Sequence, residues 1–292
     1  MSINKNKLLD IIAVSTIAIS TLIILGVAQG AIVRDNGHVL IMPIHEHTAG
    51  SAARTALLYV SVRVVLGFVL LVLDRHKVFS PKQVDLSLPK VSVSAKVLLW
   101  HLMLTTVVTC IYWLTGEDPI ASSHGVIDTG IPIIYHLQPL LSYAIVFNIG
   151  SGMYEELLFR GIITNRLRNS YGMTSSVVIA SLLFILCGHI NANNYFSGMN
   201  NMLIEILRYT IFLSMSAFFA YIYWKHKSIW LAGACHMLTN TYMSVYNDLW
   251  SHGFISPVFP LVSLITITPI IITLLHKERP YIRLFMADKA PV

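Results

Sequence analysis

Charge is the scarcest property of this sequence. Only 12% of its 292 residues are Asp, Glu, Lys or Arg, where a soluble globular chain carries about 25%. A chain with so little charge has no large water-facing surface to cover, which argues against an ordinary soluble domain. Cysteine is nearly absent too. Cys110, Cys187 and Cys235 all lie in apolar runs, their number is odd, and no CxxC spacing occurs. That pattern supports neither a disulfide framework nor a thiolate metal site, so inert buried thiols are expected. The zinc-protease signature H-E-x-x-H is missing. Internal repeats and extended low-complexity segments are missing as well.

What fills the chain is apolar. Hydrophobic residues make up 55% of it and the mean hydropathy is +0.68. A spanning helix needs about 20 mostly apolar residues, and about eight such runs can be drawn. They are Leu8–Ala28, Ala56–Leu73, Val91–Leu114, Ile131–Met153, Met173–Ile190, Met202–Trp224, Ile229–Tyr246 and Phe254–Leu275. The expected fold is therefore all-α, a polytopic membrane protein of about eight transmembrane helices. It is expected to form a single transmembrane domain over residues 1–292, with a polar site in the helix-bundle core. The first run exceeds a signal-peptide core of about 7–15 residues and is expected to stay as an uncleaved span.

The net charge of +6 is distributed in clusters between these runs. Lys5 and Lys7 precede the first run, and Arg75, Lys77, Lys82 and Lys90 follow the second. Arg166 and Arg168 follow the fourth, Lys225 and Lys227 the sixth, and Lys277, Arg279, Arg283 and Lys289 the eighth. With eight spans every cluster falls on one side, which the positive-inside rule makes the cytoplasm. Both termini are then cytoplasmic in a multi-pass protein of the cell membrane. Membrane lipid is the expected partner of such a chain, and nucleic acid is not. The outer loop holding His38, His45, Glu46 and His47 is expected to be simply solvated, like the polar stretch Asn191–Asn201. Arg63, and Arg208 with Glu205 one turn before it, are expected to snorkel or to pair locally.

A charge at mid-depth in lipid costs at least ~2.5–3.5 kcal/mol, so ionisable groups in apolar runs are candidates for function. The segment GMYEELLFRG carries Glu155 and Glu156, adjacent on a helix and about 100° apart around it. Arg160 lies four residues after Glu156, on its face. Such a pair neutralises Glu156 and leaves Glu155 to act as a general base; the alternative is an interfacial helix with wet charges. His189 ends a later apolar run. His236 and Asn240, four apart, share one face of another. The amide can orient the imidazole or donate to an oxyanion; both residues can equally serve as polar contacts between helices. Counted along each helix from its own cytoplasmic end, Glu155 stands ~20 Å up, His189 ~24 Å and His236 only ~10–14 Å.

Glu155-Glu156-x-x-x-Arg160, then His189, then His236-x-x-x-Asn240 resembles the CAAX prenyl endopeptidase and bacteriocin-processing family of intramembrane proteases. The resemblance covers about Gly150 to Tyr246. One departure is Ile185 where the family has Phe, with Phe184 one step earlier. The resemblance implies an intramembrane endopeptidase acting on membrane-proximal bonds of peptide or protein substrates. It assigns Glu155 and His189 to the attacking water, His236 and Asn240 to the oxyanion, and Glu156 and Arg160 to structural support. No cofactor is expected; the alternative is a zinc ion on Glu155, His189 and His236. The competing role is a non-catalytic scaffold or bacteriocin self-immunity protein of the same fold. A transporter is disfavoured because no internal symmetry of broken helices occurs.

Overall fold

A computed structural model of the chain describes residues 5–36, 49–79, 83–114, 150–188, 202–251 and 258–288. Long apolar stretches close their backbone hydrogen bonds within the segment, so helix is the natural outcome; the last helix forms in spite of Pro269 and Pro280 in its interior. The helices are α1 (Lys5–Asn36), α2 (Ala49–Arg75) and α3 (Val91–Leu114), followed by α4, formed by residues 150–156. A π-helical stretch (Leu157–Ile163) continues α4 without a break into α5 (Thr164–Tyr171). The rest are α6 (Met173–Gly188), α7 (Met202–His226), α8 (Ile229–Ser251) and α9 (Val258–Ala287). Among the described residues there is no β-strand; Leu86 and Ser228 form an isolated antiparallel bridge. The fold is thus mostly helical, as the sequence predicts.

Seven of the eight predicted runs coincide with a helix, and α3 matches its run end to end. The fourth run lies outside the described residues up to 149, and only its end is seen, in α4. Among the described residues one helix segment, Leu8–Leu25, is long and apolar enough to cross a membrane; Val91–Val107 and Met173–Leu186 are apolar but shorter. The count of eight spans is therefore not reached on this criterion. The His38–His47 loop, the Asn191–Asn201 loop and His189 lie outside the described residues, as do the side chains of Cys187, Glu205 and Arg208. Arg63 is buried in the protein.

Polarity runs from inside to outside. Glu156, Arg160, Asp74 and His101 are buried, while Phe68, Val65, Ile265 and Ile272 are largely exposed. At one end the bundle is tied by polar contacts. Arg166 pairs with Asp10 of α1 at 3.2 Å, and Arg168 with Asp288 at 2.5 Å. Glu278 of α9 accepts from Lys225 and from Tyr221, the latter at 2.6 Å. Burial alone raises the Glu278 carboxyl, but these two donors outweigh it and hold it below its ordinary value.

The same end fixes where α8 begins. Lys227 takes a left-handed conformation (φ 49°) that ends α7. Ile229 N–H then donates to the Asp85 carbonyl at 3.3 Å. Asp85 N–H and Asn165 Nδ2 both donate to the Tyr223 hydroxyl oxygen at 3.1 Å. The start of α8 is therefore tied to Asn165, about one turn above Arg168. Counts taken along each helix from its own end omit this offset, and the difference in depth between Glu155 and His236 shrinks accordingly.

Candidate active site

The site forms where α4 crosses α8. Two glycines set the crossing. A Cβ on Gly152 would stand 3.0 Å from the Met237 backbone nitrogen and 3.3 Å from the Gly233 carbonyl oxygen. A Cβ on Gly233 would stand 3.3 Å from the Met153 Cα and 2.2 Å from its sulfur. Small residues at such contacts let helix backbones approach closely. The approach delivers His236 to the adjacent glutamates.

Glu156 is fully buried, and its Oε1 accepts from His236 Nδ1 at 2.8 Å. The Arg160 guanidinium lies 3.1 Å from the same oxygen, so the i,i+4 pair expected from the sequence is formed. Glu155 points to the other side of the ring: its Oε2 is 3.6 Å from His236 Nε2, and its side chain keeps 20% exposure. Ser151, one turn earlier, donates to Glu155 Oε1 at 2.7 Å. Both carboxylates thus reach one imidazole, through different nitrogens. Glu156 meets the ring directly as well as pairing with Arg160.

The backbone below the glutamates is unusual. Thr164 N–H and Thr164 Oγ1 both bond to the Phe159 carbonyl, the hydroxyl at 2.7 Å. π-helical turns of this kind are often found at functional sites. Arg160 lies within this stretch and is buried. It donates to Ser216 Oγ at 2.8 Å, and Ser216 in turn meets Ser181 at 2.5 Å. Its guanidinium carbon is 4.9 Å from the Phe184 ring centre and 5.6 Å from that of Phe219. The same two rings flank His236: Phe219 stacks on it at 4.9 Å, and Phe184 meets it edge-on at 6.0 Å. Phe184, the aromatic displaced by one step from the family position, therefore still lines the site.

Asn240 is half-buried one turn further along the face of α8 that carries His236. Of the possible zinc ligands, Glu155 and His236 stand together, and the third, His189, lies outside the described residues. Among the described residues no three His, Cys, Asp or Glu side chains are grouped as a metal would require.

Residues 137–242 match the family described as Rce1-like, type II CAAX prenyl endopeptidases. This is the family that the three motifs resemble. No curated protein and no solved structure matches the chain. The Rce1-like segment encloses Glu155, Glu156, Arg160, His189, His236 and Asn240, and it links the site to a peptidase family of membrane proteins.

Ser151, Ser181, Ser216 and Phe219 escaped the sequence analysis. Ser151 carried a usable signal, since it precedes Glu155 by one helical turn. His101, outside the Rce1-like segment, was missed as well; it packs edge-on against Phe219 at 5.6 Å.

Proposed function

We propose that the protein is an intramembrane endopeptidase that hydrolyses membrane-proximal peptide bonds in peptide or protein substrates. The observation that carries this role is the asymmetric grip on His236. Its Nδ1 is held by the buried Glu156 at 2.8 Å, while Nε2 faces the partly accessible Glu155 at 3.6 Å. A gap slightly longer than a direct hydrogen bond leaves Glu155 and the ring able to act on one water and one carbonyl.

Glu155 takes a proton from water as the water oxygen bonds to the substrate carbonyl carbon. The carbonyl oxygen becomes an oxyanion. The Nε2 edge of the His236 ring and the Asn240 amide are the groups set to stabilise it. Glu155 then passes its proton to the amide nitrogen, the oxyanion re-forms the carbonyl as the C–N bond breaks, and a carboxylic acid and an amine leave; the acid's proton, the second from water, passes to the amine or to bulk water. His189 is assigned a second contact to the water, on its motif position alone. Ser151 orients Glu155 through the 2.7 Å bond to Oε1. Glu156 and Arg160 fix the ring.

The setting we propose is lipid, with eight spans in a single transmembrane domain, both termini in the cytoplasm and the cell membrane as location. The inverted polarity supports it. Phe68 (67% exposed) and Ile265 (65%) face outward while Glu156 (0%) and His101 (0%) are enclosed. Apolar surface of this kind is rare on soluble monomers.

The test uses protein purified in detergent and a set of membrane-proximal peptides. Wild type cuts, and Glu155→Gln folds normally and does not cut; equal cutting by both overturns the role. Chelation is expected to leave cleavage intact. Loss on chelation with recovery on added zinc would replace the metal-free water by a zinc-bound one held by Glu155, His189 and His236.

A further inference from the structure

We propose that His101 of α3 is a positioning residue for His236, acting from outside the Rce1-like segment; this rests on the peptidase role proposed above. His101 is fully buried. Its Nε2 lies 2.5 Å from Thr239 Oγ1, and that hydroxyl donates to the Cys235 carbonyl at 3.1 Å. With the hydroxyl proton given to Cys235, the oxygen accepts from His101 Nε2–H, which sets the tautomer. Cys235 and Thr239 bracket His236, and Asn240 follows at once. One imidazole thus grips the single turn of α8 that bears both oxyanion donors.

A second route reaches the same group through stacked rings. His101 lies flat on Phe218, with centres 5.0 Å apart and planes at 13°. It meets Phe219 at 5.6 Å, and Phe219 lies flat on His236 at 4.9 Å and 15°. Phe219 is therefore held between the two imidazoles. This arrangement carries a cost that packing alone does not explain. His101 Nδ1 is buried without a hydrogen-bond partner among the described residues, a deficit that an apolar side chain would avoid. What the imidazole provides and an apolar residue cannot is the donor to Thr239.

Two substitutions separate positioning from filling space. His101→Phe keeps a flat ring and removes the donor; His101→Gln keeps a donor and removes the ring. Each protein is purified in detergent, kcat and KM are measured on a peptide that wild type cuts, and the His236 ring resonances are followed by nitrogen-15 NMR. His101→Phe is expected to lower kcat by up to ~100-fold, as a misplacement of reacting groups by a change far from the chemistry can, with KM unchanged and the His236 resonances displaced. His101→Gln is expected to recover most of kcat and the wild-type resonances. Wild-type kcat and resonances in His101→Phe would overturn the proposal. So would a Gln variant no better than Phe, since that marks a residue needed only for folding. If wild type cuts no peptide, the peptidase role fails by itself, and the resonances alone then decide whether His101 positions His236.

Discussion

Replacing Arg160 by Met tests the electrostatics on which the site depends. Methionine keeps the unbranched stem and removes the guanidinium. Three interactions go with it: the 3.1 Å contact to Glu156, the 2.8 Å bond to Ser216 and the packing of charge on Phe184 and Phe219. Removing one member of a buried ion pair costs about 3–5 kcal/mol, because the other charge is left uncompensated. The bond to Ser216 adds about 1 kcal/mol. These terms share one side chain and do not add fully, so a loss of about 4 kcal/mol is expected, against a total stability of about 5–15 kcal/mol. Arg160→Lys should not rescue, since an ammonium cannot reach Glu156 and Ser216 as a planar fork does. The double variant Glu156→Gln/Arg160→Met should recover at least about 2 kcal/mol relative to Arg160→Met, because no unpaired charge remains. Equilibrium unfolding in detergent micelles, followed by tryptophan fluorescence, measures all of these. A loss below about 1 kcal/mol in Arg160→Met, or strict additivity in the double variant, would refute the buried pair.

Three further outcomes are expected. Gly152→Ala pushes α4 away from the Met237 backbone nitrogen, which a Cβ would approach to 3.0 Å. It should cost about 1–3 kcal/mol by overpacking and lower turnover more than Ala at an exposed α4 position, as parallel unfolding and cleavage assays will show. Glu156→Gln should reduce both folded yield and turnover, since the carboxylate supports Arg160 and holds His236 Nδ1; normal turnover in the folded fraction would remove Glu156 from the positioning of the ring. Glu278 is held below its ordinary value of 4.5, so it binds fewer protons folded than unfolded. Its stabilising contribution is present above that value and fades as pH falls through the lower folded one. The difference in melting temperature between wild type and Glu278→Gln should therefore shrink below about pH 4.5, and a constant difference down to pH 3 would contradict the pairing with Lys225 and Tyr221.

What could be read from the sequence was local. The Glu156–Arg160 pair needs only the helical repeat, and α3 needs only an apolar run bounded by polar residues, so both were visible. The grip of Glu156 on His236 was not, because it depends on how two helices cross. That crossing is set by Gly152 and Gly233, which carry no mark in sequence to separate a packing glycine from any other. Depth was misjudged for a related reason. The start of α8 is fixed by Asp85, Asn165 and Tyr223, three residues far apart in the chain. The π-helical stretch also left no trace, since Leu157–Ile163 is an ordinary apolar helical sequence apart from Arg160 and Gly161. His101 was passed over because a lone histidine in an apolar run gives no hint of what it touches; its partner Thr239 lies on another helix.

The central claim is that the Glu155 carboxylate activates a water molecule for attack on a peptide bond. The most direct measurement is mass spectrometry of membrane-proximal peptides incubated in oxygen-18 water with wild type, Glu155→Gln and buffer alone. Wild type should release a fragment whose new C-terminal carboxyl carries one oxygen-18 atom, and Glu155→Gln should release none above buffer. Labelled fragments formed by Glu155→Gln at the wild-type rate would contradict it.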